Sequence, residues 1–252
     1  MKRRPEPPGR RVQLHRAVSK LGWGSRRQAW DWVRAGQIAI DGRVVTDPLA
    51  WVDLDRQTIT RRGDELPPPP STARCVVALH KPRGIVTTRQ DERGRRTVFD
   101  LLPPELPYVF PAGRLDADSE GLLILTNDSG VAVQLTDPEH HLAKTYRVTV
   151  TGRPDESALD QLRQGVELAD GPTRPAGVRL VRTRPTSSVL EVTLTEGRNR
   201  QVRRMLAAVG HKVRRLVRTA IGGLPLGDLP PGSCRVLTAP EIARLLDRPE
   251  QS

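Results

Sequence analysis

Apolar positions along the chain keep two rhythms, and both break at "DELPPPPSTAR", residues 64 to 74. Ahead of that stretch, "VQLHRAVSKLG" sets Val12, Leu14, Val18 and Leu21 at helical spacing, with Gly22 placed to end the helix. "SRRQAWDWVRAG" predicts a second helix: Ser25 with Gln28 fits a capping box, and Gly36 supplies the stop. Trp30 and Val33 are expected to share its buried face, leaving Trp32 more exposed. "QIAIDGRVV" then alternates around Asp41-Gly42, a strong hairpin signal. The leading segment therefore reads helix, turn, helix, hairpin. Beyond the prolines, "CVVALHKP", "GLLILTND", "KTYRVTVTG" and "SSVLEVTLTEG" predict strands, and "DESALDQLRQG" and "RNRQVRRMLAAVG" predict helices. The last helix should start near Asn199 and bury Val202, Met205, Leu206 and Val209. There is no clean alternation of strand and helix, so the arrangement reads as α+β or mixed α/β. Four consecutive prolines are stiff and extended and join neither a helix nor a central strand. They predict a linker at 67–74 between a small domain, 10–66, and a larger one, 75–248.

Charge sharpens the picture. Lys and Arg outnumber Asp and Glu by 41 to 29, a formal net charge of +12, which points to a polyanionic partner, nucleic acid first. Residues 1 to 64 hold 14 basic and 7 acidic side chains, so this quarter of the chain holds +7 of the +12. Lys20, Arg26, Arg27, Arg34 and Arg43 are its candidate nucleic-acid contacts. Arg26 and Arg27 fall in the first turn of the second helix, where free N–H groups and added positive charge suit a phosphate. Two distant cysteines, with no C-x-x-C, speak against a zinc ribbon, a disulfide framework or a redox pair. The basic N-terminus is followed by no apolar region of a secretory signal, and no apolar run is long enough to span a membrane. A cytoplasmic protein without membrane contact is expected. No glycine-rich nucleotide fingerprint or Walker motif is present, so nucleotide cofactors have no support.

The densest cluster of chemistry is "AGRLDADSEGLLILTND", residues 112 to 128, with Asp116, Asp118 and Glu120 at alternate positions. A calcium loop is the first comparison, and it fails. Glu120 stands at the fifth ligand position, Asn127 at the twelfth, and a strand-like run follows where a helix should. No metal site is expected. The acids are expected to part, leaving a single one at work, and a working carboxylate needs a positive partner that keeps it ionised. Residues 195 to 218 carry eight basic side chains and one acid. There Arg203 lies beside the apolar stripe and can turn inward, whereas Arg200 and Arg204 are better placed for solvent or phosphate.

Together, "KPRGIVTT", "GRLDADSEGLLILTND", "KTYRVTV" and "EGRNRQVRRMLAAVGH", in this order, resemble the bacterial pseudouridine synthases that act on single uridines in ribosomal RNA. The helix-turn-helix-hairpin resembles the S4 RNA-binding domain that this branch carries at its N-terminus. The likeness runs over about residues 10 to 240 and implies an α+β fold, with a mixed, mainly antiparallel sheet in the larger domain. It implies an isomerase that detaches uracil from ribose C1′, turns it and rejoins it through C5, with no metal or organic cofactor. It assigns Asp116 as the catalytic aspartate, either a nucleophile at C1′ or a base at C2′. Arg203 is then its basic partner, and Tyr146 packs on the target base. Arg114, Arg198 and Arg200 are read as RNA contacts, and Asp118 and Glu120 as loop and surface acids. The expected substrate is ribosomal RNA, 23S in preference to 16S, free or in an assembling subunit, and the protein is expected to act as a monomer. Two rival readings are a non-catalytic S4-type ribosome-assembly protein and a DNA-binding helix-turn-helix regulator.

Overall fold

A computed structural model describes residues 11–21, 23, 26–54, 56–62, 74–89 and 91–247. The chain separates into two compact units, Met1–Ala73 and Arg74–Ser252. Residues 67–73 of the expected linker, Gly22, the Ser25 half of the expected capping box and the side chain of Lys20 lie outside the described residues.

The first unit runs β1 (Arg11–Gln13), α1 (Leu14–Lys20), α2 (Arg26–Arg34), β2 (Ile38–Ile40), β3 (Arg43–Val44), β4 (Trp51–Asp53) and β5 (Ile59–Arg61). The first helix starts two residues later than its periodicity predicts. Val12 pairs with Val52 in a β1–β4 ladder, and the Leu14 and His15 N–H groups donate to the Ala50 and Pro48 carbonyls at 2.7 and 3.1 Å. Long-range partners thus satisfy the open helix end in place of a side-chain cap. Helix α2 ends as predicted. Gly36 is left-handed (φ 68°), Gln37 N–H reaches the Trp32 carbonyl and Gly36 N–H the Val33 carbonyl, which is a Schellman motif. Both tryptophans are half-buried, so Trp32 is less exposed than expected. Trp32 packs on the core formed by Leu14, Val18, Val33 and Ile38, beneath the Arg61 guanidinium at 4.0 Å, whereas Trp30 sits edge-on to His15. The Asp41-Gly42 hairpin forms, and β5 joins it as a third strand because the Asp41 carboxylate accepts from Thr58 N–H at 2.9 Å.

The second unit contains β6 (Val76–Lys81), β7 (Phe110–Pro111), β8 (Glu120–Thr126), α3 (Ser129–Thr136), β9 (Lys144–Thr151), α4 (Glu156–Gln164), β10 (Glu167–Leu168), β11 (Gly171–Pro172), β12 (Gly177–Arg184), β13 (Ser187–Leu194), α5 (Gln201–Ala208), β14 (Val213–Ile221), β15 (Leu224–Pro225), β16 (Cys234–Val236) and α6 (Ala239–Leu246). One mixed sheet holds most of it, in the order β12-β13-β9-β14-β8-β6-β16, with β15 on β14 and β7 on β8. Strands β6 and β8 are apolar on both faces, as a doubly covered sheet requires. Val76, Ala78, Leu122 and Ile124 meet α3 and α6 on one side; Val77, Leu79, Leu123 and Leu125 meet Val98, Val109 and Leu115 on the other. Each buried Leu or Val there contributes roughly 1.5–3 kcal/mol. A third core lies between β9, β13, α4 and α5.

The two halves of the sheet meet at a short seam. β14 runs parallel to β8 for two rungs only, Val217 to Glu120 and Arg218 to Gly121, while its other edge pairs antiparallel with β9 and sets Arg218 opposite Tyr146. Gly121 (φ 108°) is obligatory here, since a Cβ would lie 2.3 Å from the Arg218 carbonyl oxygen.

Candidate active site

The loop that carries Asp116 leads into β8 at this seam, and the "KPRGIVTT" segment holds it from below. The Lys81 ammonium, fully buried, donates to the Ser119 carbonyl at 2.7 Å. Gly84 N–H donates to the Ala117 carbonyl at 2.7 Å. Thr87 Oγ1 donates to the Leu115 carbonyl at 2.8 Å and accepts from the Leu115 N–H at 3.3 Å. The turn is thereby tied at every second residue from 115 to 119. Burial pushes the Lys81 amine down to about 8, against the pull of Asp116, Asp118 and Glu120 above it.

Helix α5 closes the loop from the other side. Its axis begins at Gln201, two residues after the expected start, because Arg200 adopts a left-handed backbone (φ 50°). From that position its guanidinium grips Asp118 with both arms, at 3.0 and 2.9 Å, and stands 3.5 Å from Asp116. Hydrogen bonds from Arg200 hold the Asp118 carboxyl below its usual range. The expectation that the acids part is overturned for this pair: a turn connects them, and one guanidinium, that of Arg200, reaches both. Arg203 turns inward as its place beside the apolar stripe suggests. Its Nη2 donates to the Asp118 carbonyl at 2.9 Å and lies 3.4 Å from the Asp118 carboxylate and from Ser119 Oγ. Glu120 is mostly covered and pairs with Arg215 at 2.8 Å, so it is not the surface acid expected.

A cavity of about 510 Å³ opens over this arrangement, lined by Asp116, Arg114 and Tyr146 together with Lys144, Arg198, Arg200 and Arg218. Tyr146 is half-buried and touches two cores at once, the one under β9 and β13 and the one under β6 and β8. Arg114 is exposed at the rim. Arg198 has its guanidinium committed to the Gly171 carbonyl at 2.9 Å, to the Pro172 carbonyl, and to Glu196 at 3.2 Å, so it braces the β10–β11 hairpin. Arg204 pairs with Asp170 at 2.7 Å. In the first unit Arg26, Arg27, Arg34 and Arg43 are all exposed. Sequence reasoning passed over Lys81, Lys144 and Arg218, whose roles depend on strand register and not on local pattern. Among the described residues no group of three or more His, Cys, Asp or Glu side chains is placed to hold a metal, and no helix is long and apolar enough to cross a membrane.

Known proteins share this architecture. The profile of the RNA pseudouridylate synthase family matches residues 75–208, and that of the S4 domain matches 13–48. An uncharacterised RNA pseudouridine synthase of Mycobacterium bovis is 42% identical over 243 residues, covering 95% of this chain and 94% of that protein. Ribosomal large subunit pseudouridine synthase B of Bacillus subtilis is 36% identical, covering 92% of this chain and 95% of that protein. Ribosomal large subunit pseudouridine synthase E of Xanthomonas campestris is 49% identical over 179 residues, 64% of this chain and 94% of that protein. A crystal structure of a pseudouridylate synthase superposes with a TM-score of 0.66 at 29% identity, covering 93% of this chain and 99% of that one. The chain therefore belongs to the RNA pseudouridine synthase family: it is an isomerase acting on RNA, with an S4 domain ahead of its synthase domain.

Proposed function

We propose that Asp116 is the catalytic carboxylate, that the substrate is a uridine of ribosomal RNA, and that this RNA is the 23S molecule of the large subunit. The observation that carries the catalytic reading is the convergence of Asp116, Tyr146 and Arg114 on one cavity. The large-subunit reading is supported by two relatives that act on that subunit by name. Isomerisation breaks the C1′–N1 bond and forms C1′–C5; on balance the C5 proton is lost and N1 gains one. Asp116 acts either as nucleophile at C1′ or as base at C2′, and both roles need it ionised. The Arg200 guanidinium stands 3.5 Å from it. Arg203 acts on the acid through the turn, by fixing Asp118 and Ser119. Tyr146 packs on the extruded base, and Arg114 at the rim meets a backbone phosphate and helps keep the nucleotide out of its stack. Lys20, Arg26, Arg27, Arg34 and Arg43 dock the S4 domain on RNA. Domain limits of 10–66 and 75–248 fit this division of labour.

Carbodiimide primer-extension mapping of pseudouridine on both ribosomal RNAs, in cells with and without the gene, tests the substrate. The expected result is one 23S signal that disappears and that Asp116→Asn does not restore. A lost 16S signal would move the substrate to the small subunit, and no change on either RNA would overturn the ribosomal reading.

A further inference from the structure

Tyr146 has two cations for neighbours on its own face of the sheet. Lys144 lies two residues back along β9, and residues two apart in a strand share a face. Arg218 lies directly across from Tyr146 in the β9–β14 register. All three line the cavity. Arg218 is 4% exposed; its Nε donates to the Leu122 carbonyl at 2.7 Å, and its Nη2 is buried with no hydrogen-bond partner. The Lys144 ammonium donates to the Leu142 carbonyl at 3.0 Å. Burial pushes its pKa down to about 8, and the one charge acting on it, Arg218, pushes the same way. Asp116, Asp137 and Glu196 share the cavity, yet none of them acts on this amine. The contrast with Lys81, which three carboxylates support, is sharp. One wall of the cavity thus holds a buried guanidinium and a half-buried ammonium, and among the described residues no carboxylate pairs with either. Desolvated charge without a counter-charge costs free energy, so the negative charge must arrive with what enters the cavity.

The geometry also limits what can enter. The RNA backbone carries flanking nucleotides and stays at the rim, and only the extruded base reaches as deep as Arg218. Uracil in uridine is neutral. It becomes an anion when C1′–N1 breaks and the electron pair passes to N1, where it spreads over O2 and O4. We propose that Lys144 and Arg218 form an anion cradle for the detached uracil ring and stabilise it between bond breaking and bond re-formation. From that anion C5 bonds to C1′, the C5 proton leaves, and N1 takes up a proton, so the sequence balances without any further reagent. Charge fixed in advance where charge develops lowers the barrier and leaves ground-state binding little changed. The inference rests on the cavity being the site of isomerisation.

The test is single-turnover tritium release from an unmodified 23S transcript carrying [5-³H]uridine, with RNA affinity and thermal melting measured on the same full-length proteins. Lys144→Met is expected to slow release about 100-fold, to leave RNA affinity within about threefold because the bound uridine is uncharged, and to melt no lower than the wild type. Lys144→Arg, which keeps the charge, is expected to stay within about tenfold of wild type. Wild-type release by Lys144→Met would overturn the proposal. So would weaker RNA binding with a shallower salt dependence and an unchanged rate at saturating RNA, which would make Lys144 a phosphate contact. Equal loss in Lys144→Met and Lys144→Arg would also overturn it, since shape and not charge would then matter. Asp116→Asn separates this from the reading beneath it: release that survives that substitution would remove the cavity as the reaction site, whatever Lys144 does.

Discussion

Lys81 and Lys144 are both amines held near pKa 8, and they should behave differently when removed. Lys81 ties down the acid turn and has three carboxylates around it; Lys144 has a cation. A lysine whose folded pKa lies below its unfolded value binds fewer protons folded than unfolded between about pH 8 and 10.5, so its penalty is full below pH 8 and fades as pH rises through that window. Lys144→Met should therefore stabilise the free protein by about 1–2 kcal/mol at pH 7, after the lost hydrogen bond is discounted. That advantage should shrink to nothing by pH 10.5, read by urea melts of variant and wild type at pH 7, 9 and 10.5. A constant difference across the three would mean that the lysine is not the titrating group. At this scale the local motif pointed to Asp116, Tyr146 and Arg114, and the structure brings these three together at one cavity. Arg200 was assigned to RNA, and Arg203 to the acid, because the helix was drawn two residues too long, which hid the left-handed turn that aims Arg200 at Asp116 and Asp118. Lys144 and Arg218 escaped because their meaning lies in what stands across the sheet from them.

Between elements, the decisive contact is the two-rung seam of β8 and β14. Strand β14 reads poorly in sequence because Arg214 and Arg215 interrupt its apolar positions, and only Leu216, Arg218 and Ile221 along it are buried. The strands whose apolar runs are covered on both faces, β6 and β8, were legible at once, as were α4 and α5. The first helix was overdrawn because Val12, apolar at helical spacing, serves a strand whose partner is 40 residues away. Gly121→Ala tests the seam. The added carbon must displace the Arg218 backbone, with an expected loss of about 3–5 kcal/mol and of turnover as Asp116 and Tyr146 separate. Equilibrium denaturation measures it, and a loss under about 1 kcal/mol would show that the seam yields without cost.

For the whole molecule, positive charge is denser in the first unit and the cavity lies in the second. The first holds 14 basic and 8 acidic side chains, +6 of the net +12 on fewer than a third of the residues. Removing residues 1 to 64 should weaken RNA binding and flatten the slope of log affinity against log salt. The slope should fall by about one unit for each phosphate the S4 unit neutralises, several units if most of these arginines engage. Filter binding from about 50 to 300 mM salt reads it, and an unchanged slope would deny the S4 unit that work. The sheet order was not legible in sequence, because β6 takes its outer neighbour from the far end of the chain. That pairing has a consequence for synthesis. Strand β6 leaves the ribosome more than 150 residues before β16, which covers its edge by pairing Cys234 with Leu79 and Val236 with Val77. Until then the nascent synthase unit presents a bare apolar β-edge, a template for sticking to its neighbours. A chain stopped before residue 234 keeps nearly all of its chemistry and loses the strand that closes it, and it should be found in inclusion bodies or in the hands of a chaperone.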